Sequence, residues 1–79
     1  MTLEFKLGDV LEELEISMNA LAVEGKIRPA TVSSYVKGDV SRIEVETLVS
    51  ILDTVNRLAE EKGLKHSYSI EDVVSYEYK

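Results

Sequence analysis

The sequence predicts a single compact domain that is mostly α-helical, with four or five helices and a short β-strand at each end. Apolar residues recur at helical spacing through the middle of the chain, whereas they alternate with polar residues at its two ends. The chain has 79 residues and contains no internal repeat, linker or low-complexity segment. That length is typical of one small domain, which we assign to residues 1–79.

The first two helices follow a short N-terminal strand. Up to Leu7, apolar residues alternate with polar ones, which is typical of a half-buried strand. Ser17 is a suitable N-cap for a second, short helix, and Gly25 is its predicted end. The first helix, from Leu7 to about Glu15, has one apolar face formed by Leu7, Val10, Leu11 and Leu14.

A third helix is predicted over about residues 29–37. Pro29 suits its first turn, where the missing N–H of proline costs nothing, and Gly38 suits its end. Val32 and Val36 lie on one face of this helix. About four residues separate it from the second helix, so a sharp turn must join the two, and the unit spans about residues 17–37.

A long helix is predicted over about residues 44–62. Its apolar residues repeat at helical spacing, Ser41–Glu44 fits a capping box at its start, and Gly63 fits its end. We expect its apolar face to contribute to a homodimer.

The C-terminal part is predicted to hold one more short helix and a strand. Ser69 and Asp72 can cap the helix, and a strand over about residues 74–79 follows. The two end strands can pair with each other or with those of a second copy, because each has unpaired edges. Tyr68, Tyr76 and Tyr78 are interpreted as core or edge-strand residues.

The charge of the chain changes sign along the sequence. The net charge is −6, which disfavours nonspecific binding to nucleic acid or to an anionic membrane. Residues 25–43, however, carry four basic residues against one acid, whereas the segments on either side are acidic. A basic segment the length of one structural element favours local contact with an anion.

Several functional classes are not favoured by the residues present. No apolar run approaches the ~20 residues of a membrane span, and the N-terminus lacks the pattern of a signal peptide. The chain has no cysteine, so we expect a cytoplasmic protein. His66 is the only histidine, and no nucleophile–base pair, phosphate-binding loop or metal triad is recognisable. We therefore expect no enzymatic activity, no metal and no cofactor.

The segment ISMNALAVEGKIRPATVSSYVKGDVSRIEVETL resembles the helix-turn-helix of small lambda-repressor/Cro-type (Xre-like) transcriptional regulators. The residues that match the family pattern are Ser17, Leu21, Ala22, Ile27, Arg28, Pro29, Thr31, Val32, Ser33, Gly38, Arg42, Ile43, Thr47 and Leu48. The extended start LEFKL and the end EDVVSYEY add to the likeness. The resemblance implies a four- to five-helix helix-turn-helix domain. It also implies a homodimer that reads a near-palindromic operator in double-stranded DNA.

The resemblance also implies which residues face DNA. The third helix would enter the major groove, with Arg28, Pro29, Ala30 and Ser34 at base edges. Ser17, Thr31, Lys37 and Arg42 would contact the DNA backbone, and Met18 stands beside the cap of the second helix. Arg28 at the N-cap offers no acceptor to the first N–H groups, which leaves them free for a phosphate.

Alternative interpretations remain open at several of these positions. Arg28 and Lys37 can equally be solubilising surface charges, and Pro29 can simply mark a helix end. Tyr35 can pack inward or meet a sugar-phosphate.

A second hypothesis assigns protein binding to the same scaffold. The family usually has Gln at the position of Met18 and often Asn or Gln at that of Ala30, and neither Met nor Ala can read adenine by paired hydrogen bonds. On this hypothesis DNA binding is weak or absent. The acidic faces then bind a protein partner, as in an antitoxin, antirepressor or adaptor. The net charge of −6 favours it, whereas the basic segment favours DNA.

Overall fold

Five helices and two short strands follow one another in the computed structural model, which describes residues 2–78. The molecule is mostly helical, and its radius of gyration is 12.0 Å. The predicted strand at each end of a helical domain is confirmed. The elements are β1 (Thr2–Phe5), α1 (Leu7–Leu14), α2 (Met18–Gly25), α3 (Pro29–Lys37), α4 (Val45–Glu61), α5 (Ile70–Val73) and β2 (Val74–Glu77).

The predicted ends of the short helices are also confirmed. The Ser17 hydroxyl accepts a hydrogen bond from the Ala20 N–H at 3.0 Å, which caps α2. Gly38 ends α3 in the left-handed region, at φ 75°. Ser69 and Asp72 form a reciprocal capping box at the start of α5.

The predicted capping box at Ser41–Glu44 is wrong. The N-cap of α4 is Glu44, which makes no side-chain cap hydrogen bond, and Ser41 lies in a bend three residues earlier. The reason is that Val40 and Ile43 are half-buried against the core, which holds the connection away from helical geometry until Glu44. The Glu44 N–H instead donates to the Tyr35 hydroxyl at 3.4 Å.

The two end strands pair with each other in an antiparallel ribbon. Leu3 is opposite Tyr76 and Phe5 is opposite Val74, so these four side chains share one face of the ribbon. Phe5 and Val74 pack against the helical core, and the Lys6 N–H donates to the Val73 carbonyl at 2.7 Å. The ribbon thereby closes the chain on itself.

The apolar face of α4 is the centre of the core and not a free surface. Its inward side chains Ile51, Thr54, Val55, Leu58 and Ala59 are buried, and α4 contacts α1, α2 and α5. The Thr54 hydroxyl donates to the Ser50 carbonyl at 2.7 Å, so it keeps a hydrogen-bond partner although it is buried. Most of the face that we expected to contribute to a homodimer is therefore used within the fold, although Val45 at its start is 76% exposed. None of the helices described is both long and apolar enough to cross a membrane.

Gly25 allows a close approach of α2 to α4. A Cβ atom built at Gly25 would lie 2.8 Å from the Thr54 hydroxyl oxygen and 3.0 Å from the end of the Ile27 side chain. Arg57 of α4 also links the two helices here, because its guanidinium donates hydrogen bonds to the carbonyl and the carboxylate of Glu24, each at 3.1 Å. A side chain larger than hydrogen would push the two helices apart.

Asn56 and Tyr68 hold the connection between α4 and α5 onto the core. The Asn56 side-chain amide donates to the Tyr68 carbonyl at 3.0 Å and accepts from the Tyr68 N–H at 2.7 Å. The Tyr68 ring is buried, as predicted, and its hydroxyl donates to the Glu13 carboxylate at 2.7 Å. His66 meets the same ring edge-on, with 4.6 Å between ring centroids.

We expect Gly25→Ala to destabilise the protein by about 1–2 kcal/mol, because overpacking against Thr54 outweighs the gain in helix propensity. For a domain of this size that is a fall in melting temperature of roughly 5–10 °C, measured by circular dichroism. Gly8→Ala in α1 is the matched control, because its Cβ would meet only Val36, at an ordinary 3.5 Å. Equal melting temperatures for the two variants would contradict the close approach.

Tyr68 makes the free energy of unfolding depend on pH in the alkaline range. Burial, and then the hydrogen bond to Glu13, raise the pKa of Tyr68 from 10.0 to about 12. The folded state thus binds the phenol proton more tightly than the unfolded state. The stabilisation is complete below pH 10 and is lost as the pH rises to about 12.

Thermal melts of wild type and Tyr68→Phe test this dependence. We expect Tyr68→Phe to be less stable by about 1 kcal/mol at neutral pH, where the hydroxyl is protonated and bonded. Above pH 10 the wild type should lose stability faster than the variant, so the two curves converge. Parallel curves would show that the hydroxyl does not titrate in this way.

Candidate nucleic-acid interface

α2 and α3 are joined by the three residues Lys26, Ile27 and Arg28. Lys26 adopts the left-handed region at φ 55°, and the Ile27 N–H donates to the Ala22 carbonyl at 2.9 Å. Ile27 itself is half-buried against the core. The turn is therefore held by a backbone hydrogen bond and by packing, and it fixes the position of α3 relative to α2.

α3 has a buried face and an exposed face. Val32 and Tyr35 are buried, and the edge of the Phe5 ring meets the Tyr35 ring with 6.2 Å between centroids. The two interpretations left open for Tyr35 are thus decided, since it packs inward. At about 100° per residue, the opposite face carries small or polar side chains and one base, namely Ala30, Ser33, Ser34 and Lys37.

The first turn of α3 has the predicted geometry at Arg28. Arg28 is the exposed N-cap residue and makes no side-chain cap hydrogen bond, and Pro29 occupies the first helical position. The expectation that several backbone N–H groups of this turn are free is wrong, however. Pro29 has no N–H, and those of Thr31 and Val32 already donate to the Arg28 carbonyl at 3.0 and 3.1 Å. Ala30 is left as the first-turn donor without an acceptor among the described hydrogen bonds.

An open groove separates the α2–α3 turn from the start of α4. Its basic side chains, Lys26 and Arg28, come from the turn, and its acidic side chains, Glu44 and Glu46, come from α4. All four are exposed. The remaining lining residues are Ile27, Thr31, Thr47 and Ser50. With two bases facing two acids, the groove is electrically balanced, so the basic segment is not an unopposed basic surface.

Apart from Thr31, the other predicted contact residues lie outside this groove. Ser17 and Met18 are exposed at the start of α2, and the Ser17 oxygen is engaged by its own helix. Arg42 is exposed in the connection between α3 and α4. Thr31 lines the groove and lies beside the exposed face of α3, whereas Ala30, Ser34 and Lys37 form that face.

The sequence interpretation missed five residues of this region. Ser33 follows Ala30 at a spacing of three on the exposed face, so helical periodicity alone was enough to find it. Lys26 was counted only as part of the basic segment. Three further residues line the groove because the start of α4 passes the α2–α3 turn, namely Glu44, Glu46 and Ser50. Nothing in the sequence near these residues indicates that contact.

No match was found when the chain was compared with protein-family models, with curated proteins and with solved structures. Among residues 2–78 no three His, Cys, Asp or Glu side chains come together as a metal site would need.

Proposed function

We propose that the protein is a sequence-specific DNA-binding transcriptional regulator of the lambda-repressor-like helix-turn-helix type, with α3 as the recognition helix. The observation that carries the proposal is the outer face of α3, which has short, exposed or half-buried side chains along its length and ends at Lys37, while Arg28 stands at the N-cap that precedes it. Arg28 and Lys37 are nine residues apart, so the rise between them is roughly 13 Å. A helix with side chains is about 10–12 Å across, which fits a major groove about 12 Å wide.

The short side chains on this face support close docking. Serine hydroxyls at positions 33 and 34 can donate to or accept from any base edge, and the Ala30 methyl can pack against a thymine methyl. Arg28 can bond guanine through two parallel hydrogen bonds, whereas Lys37 suits a phosphate. The resemblance of residues 16–48 to the regulator family agrees with these roles.

A homodimer fits this function, because one module buries too little surface for high specificity. The surface that supports dimerisation is the outer end of the β1–β2 ribbon. There Leu3 and its cross-strand partner Tyr76 are exposed. They lie on the same face of the ribbon as Phe5 and Val74, which pack against the core at its other end. Glu4 and Glu77 lie on the other face, so two ribbons can stack face to face without opposing charges.

The acids of the groove support a second candidate function. Glu44 and Glu46 face Arg28 across the groove and would repel a phosphate placed there. A partner protein with basic side chains would meet no such penalty. The alternative is a protein-binding module with weak or no DNA binding, such as an antitoxin, antirepressor or adaptor.

For the DNA-binding proposal, we expect Arg28→Ala and Lys37→Ala to differ in kind. Loss of a guanine contact at Arg28 should cost about 1–3 kcal/mol, mainly on the preferred site. Loss of a phosphate contact at Lys37 should weaken all sequences alike and flatten the log–log salt slope of the dimer by about two units, one for each subunit. Fluorescence anisotropy on fragments of the protein's own upstream region, with a shuffled duplex as reference, measures both.

The wild-type salt slope and one acid variant complete this test. Arg28, Lys37 and Arg42 of both subunits bring about six positive charges to the phosphate and base contacts of a dimer, and counterion release at roughly 0.9 per contact predicts a slope near −5. Glu46→Gln should bind DNA more tightly than wild type, because it removes a carboxylate that faces Arg28. Absence of any binding at ~50 mM salt by folded protein would favour the protein-binding alternative.

The dimer is tested by sedimentation over a concentration series up to about 100 μM, where a weak interface of modest area is populated. We expect Tyr76→Lys to abolish dimerisation, because Tyr76 is 60% exposed on the apolar face of the ribbon. Glu77→Lys is the control on the adjacent residue and opposite face, and it should leave the dimer intact. Both variants lower the net negative charge, so added repulsion cannot explain a loss. A wild type that stays monomeric throughout would refute the interface.

A further inference from the structure

α4 carries an exposed apolar strip on the side away from the core. Val45 is 76% exposed and Val49 is 48% exposed, one turn further along the helix. Leu52 follows at the next turn and is half-buried. We call Val45, Val49 and Leu52 the α4 strip.

The two valines of the α4 strip are not explained by folding. Their exposed surface adds little to the core, and a β-branched side chain at an exposed helix position is a poorer helix former than Ala, Glu or Lys. Single exposed apolar residues are ordinary, but these are neighbours on consecutive turns and continue into Leu52. An unpartnered apolar strip of this kind suits the docking of another protein segment.

A column of acids runs along one side of the α4 strip. Glu46, Asp53 and Glu60 are all exposed and are spaced by seven residues, which places them on one line along α4. At about 100° per residue, this line lies roughly 70° around the helix from the centre of the strip. A helix packed on the strip would therefore have its flank next to three carboxylates.

Shallow hollows lie at both ends of the strip. The hollow at the start of α4 is lined by Glu44, Val45, Glu46 and Thr47, so an apolar wall adjoins two carboxylates. That combination suits a lysine or arginine, whose aliphatic stem packs while its charged head pairs. The hollow at the far end includes Asn56, Glu60 and Leu64, together with Lys65, His66 and Ser67.

The charges decide between a second copy and a different partner. If two copies packed their α4 strips together with antiparallel helices, each acidic column would face the other. With the two strips centred on Val49, each Glu46 would face the second copy's Asp53, which is unfavourable. A partner helix with basic side chains flanking its apolar face has the complementary charge.

We propose that the α4 strip is a docking site for a basic amphipathic α-helix of another protein. From Val45 to Asn56 the site is about 16 Å long, or three helical turns, so a partner segment of roughly twelve residues covers it. The groove residues Thr47 and Ser50 lie about 160° around α4 from the strip. The hollow at the start of the strip nevertheless shares Glu44, Glu46 and Thr47 with the groove beside Arg28, so the docking site adjoins that groove.

The experiment uses a synthetic 18-residue amphipathic peptide of leucine and lysine as the probe. Two further peptides, one with glutamate for lysine and one with the leucine and lysine order scrambled, test charge and amphipathicity. Amide chemical shifts of ¹⁵N-labelled protein are followed during titration. We expect the first peptide to perturb residues 45–53 most strongly and the other two to bind at least about tenfold more weakly.

Matched variants identify the strip as the site. Val49→Lys should weaken binding of the leucine–lysine peptide by at least about tenfold, as loss of a central apolar contact does. Val23→Lys is the control, because Val23 is 66% exposed on α2 and the charge change is the same. Asp53→Lys should weaken binding more than Glu12→Lys, which changes an exposed acid of α1. Unchanged melting temperatures establish that the variants are folded.

Three outcomes would overturn the proposal. One is equal loss of binding in Val49→Lys and Val23→Lys. Another is a set of shift changes spread over all acidic surfaces, which would mean attraction to net charge only. The third is self-association of the wild type that Val49→Lys abolishes, which would make a second copy the occupant. None of these readouts involves DNA, so they stand apart from the test of the proposed regulator function.

Discussion

The close contact between α2 and α4 at Gly25 sets the position of the rest of the candidate interface. Thr54 is buried and its hydroxyl is bonded to the Ser50 carbonyl, so it cannot move away from α2. The chain leaves α2 at Gly25, turns through Lys26 and starts α3 at Pro29. A change in the spacing of α2 and α4 would therefore move both the first turn of α3 and the groove beside it. The absence of a side chain at one residue thus determines how the exposed face of α3 is presented.

α4 serves a different purpose on each of its sides. Its inner face forms the centre of the core, and its first turn supplies the acids that face Arg28 across the groove. Its outer side carries two exposed valines beside a line of carboxylates. A single helix of 17 residues thus connects the proposed DNA-binding face and the proposed protein-docking face through one rigid element.

The acids around the basic segment limit where the proposed regulator could bind DNA. Acids surround the basic segment in sequence, and in the structure Glu44 and Glu46 line the same groove as Arg28 and Lys26. On the proposed function, attraction to DNA would be concentrated at α3 and its N-cap residue Arg28, and the surrounding acids would repel the phosphate backbone. Such a protein gains specificity by weak nonspecific binding, and the same acids make a basic protein partner easy to accommodate.

The amino-acid sequence alone determined the order and type of the elements, because periodicity and capping are local. The α1 face, the Ser17 cap, the end of α3 at Gly38 and the Ser69 capping box all depend on residues within a few positions of one another. The exposed positions of Arg28 and Lys37 could likewise be predicted from α3. The start of α4 could not, because packing of Ile43 overrode the local capping signal at Ser41.

Only the tertiary structure decided which surfaces are free and which charges meet. The apolar repeat of α4 is the same whether it faces a core or a second copy, and only the packing of α1, α2 and α5 shows that it is buried. The inward position of Tyr35 and the pairing of β1 with β2 depend on contacts between distant segments. The same holds for Glu44 and Glu46, which lie outside the basic segment in sequence but reach Arg28 where α4 passes the α2–α3 turn. Charge balance depends on distance in space, which a linear pattern does not contain.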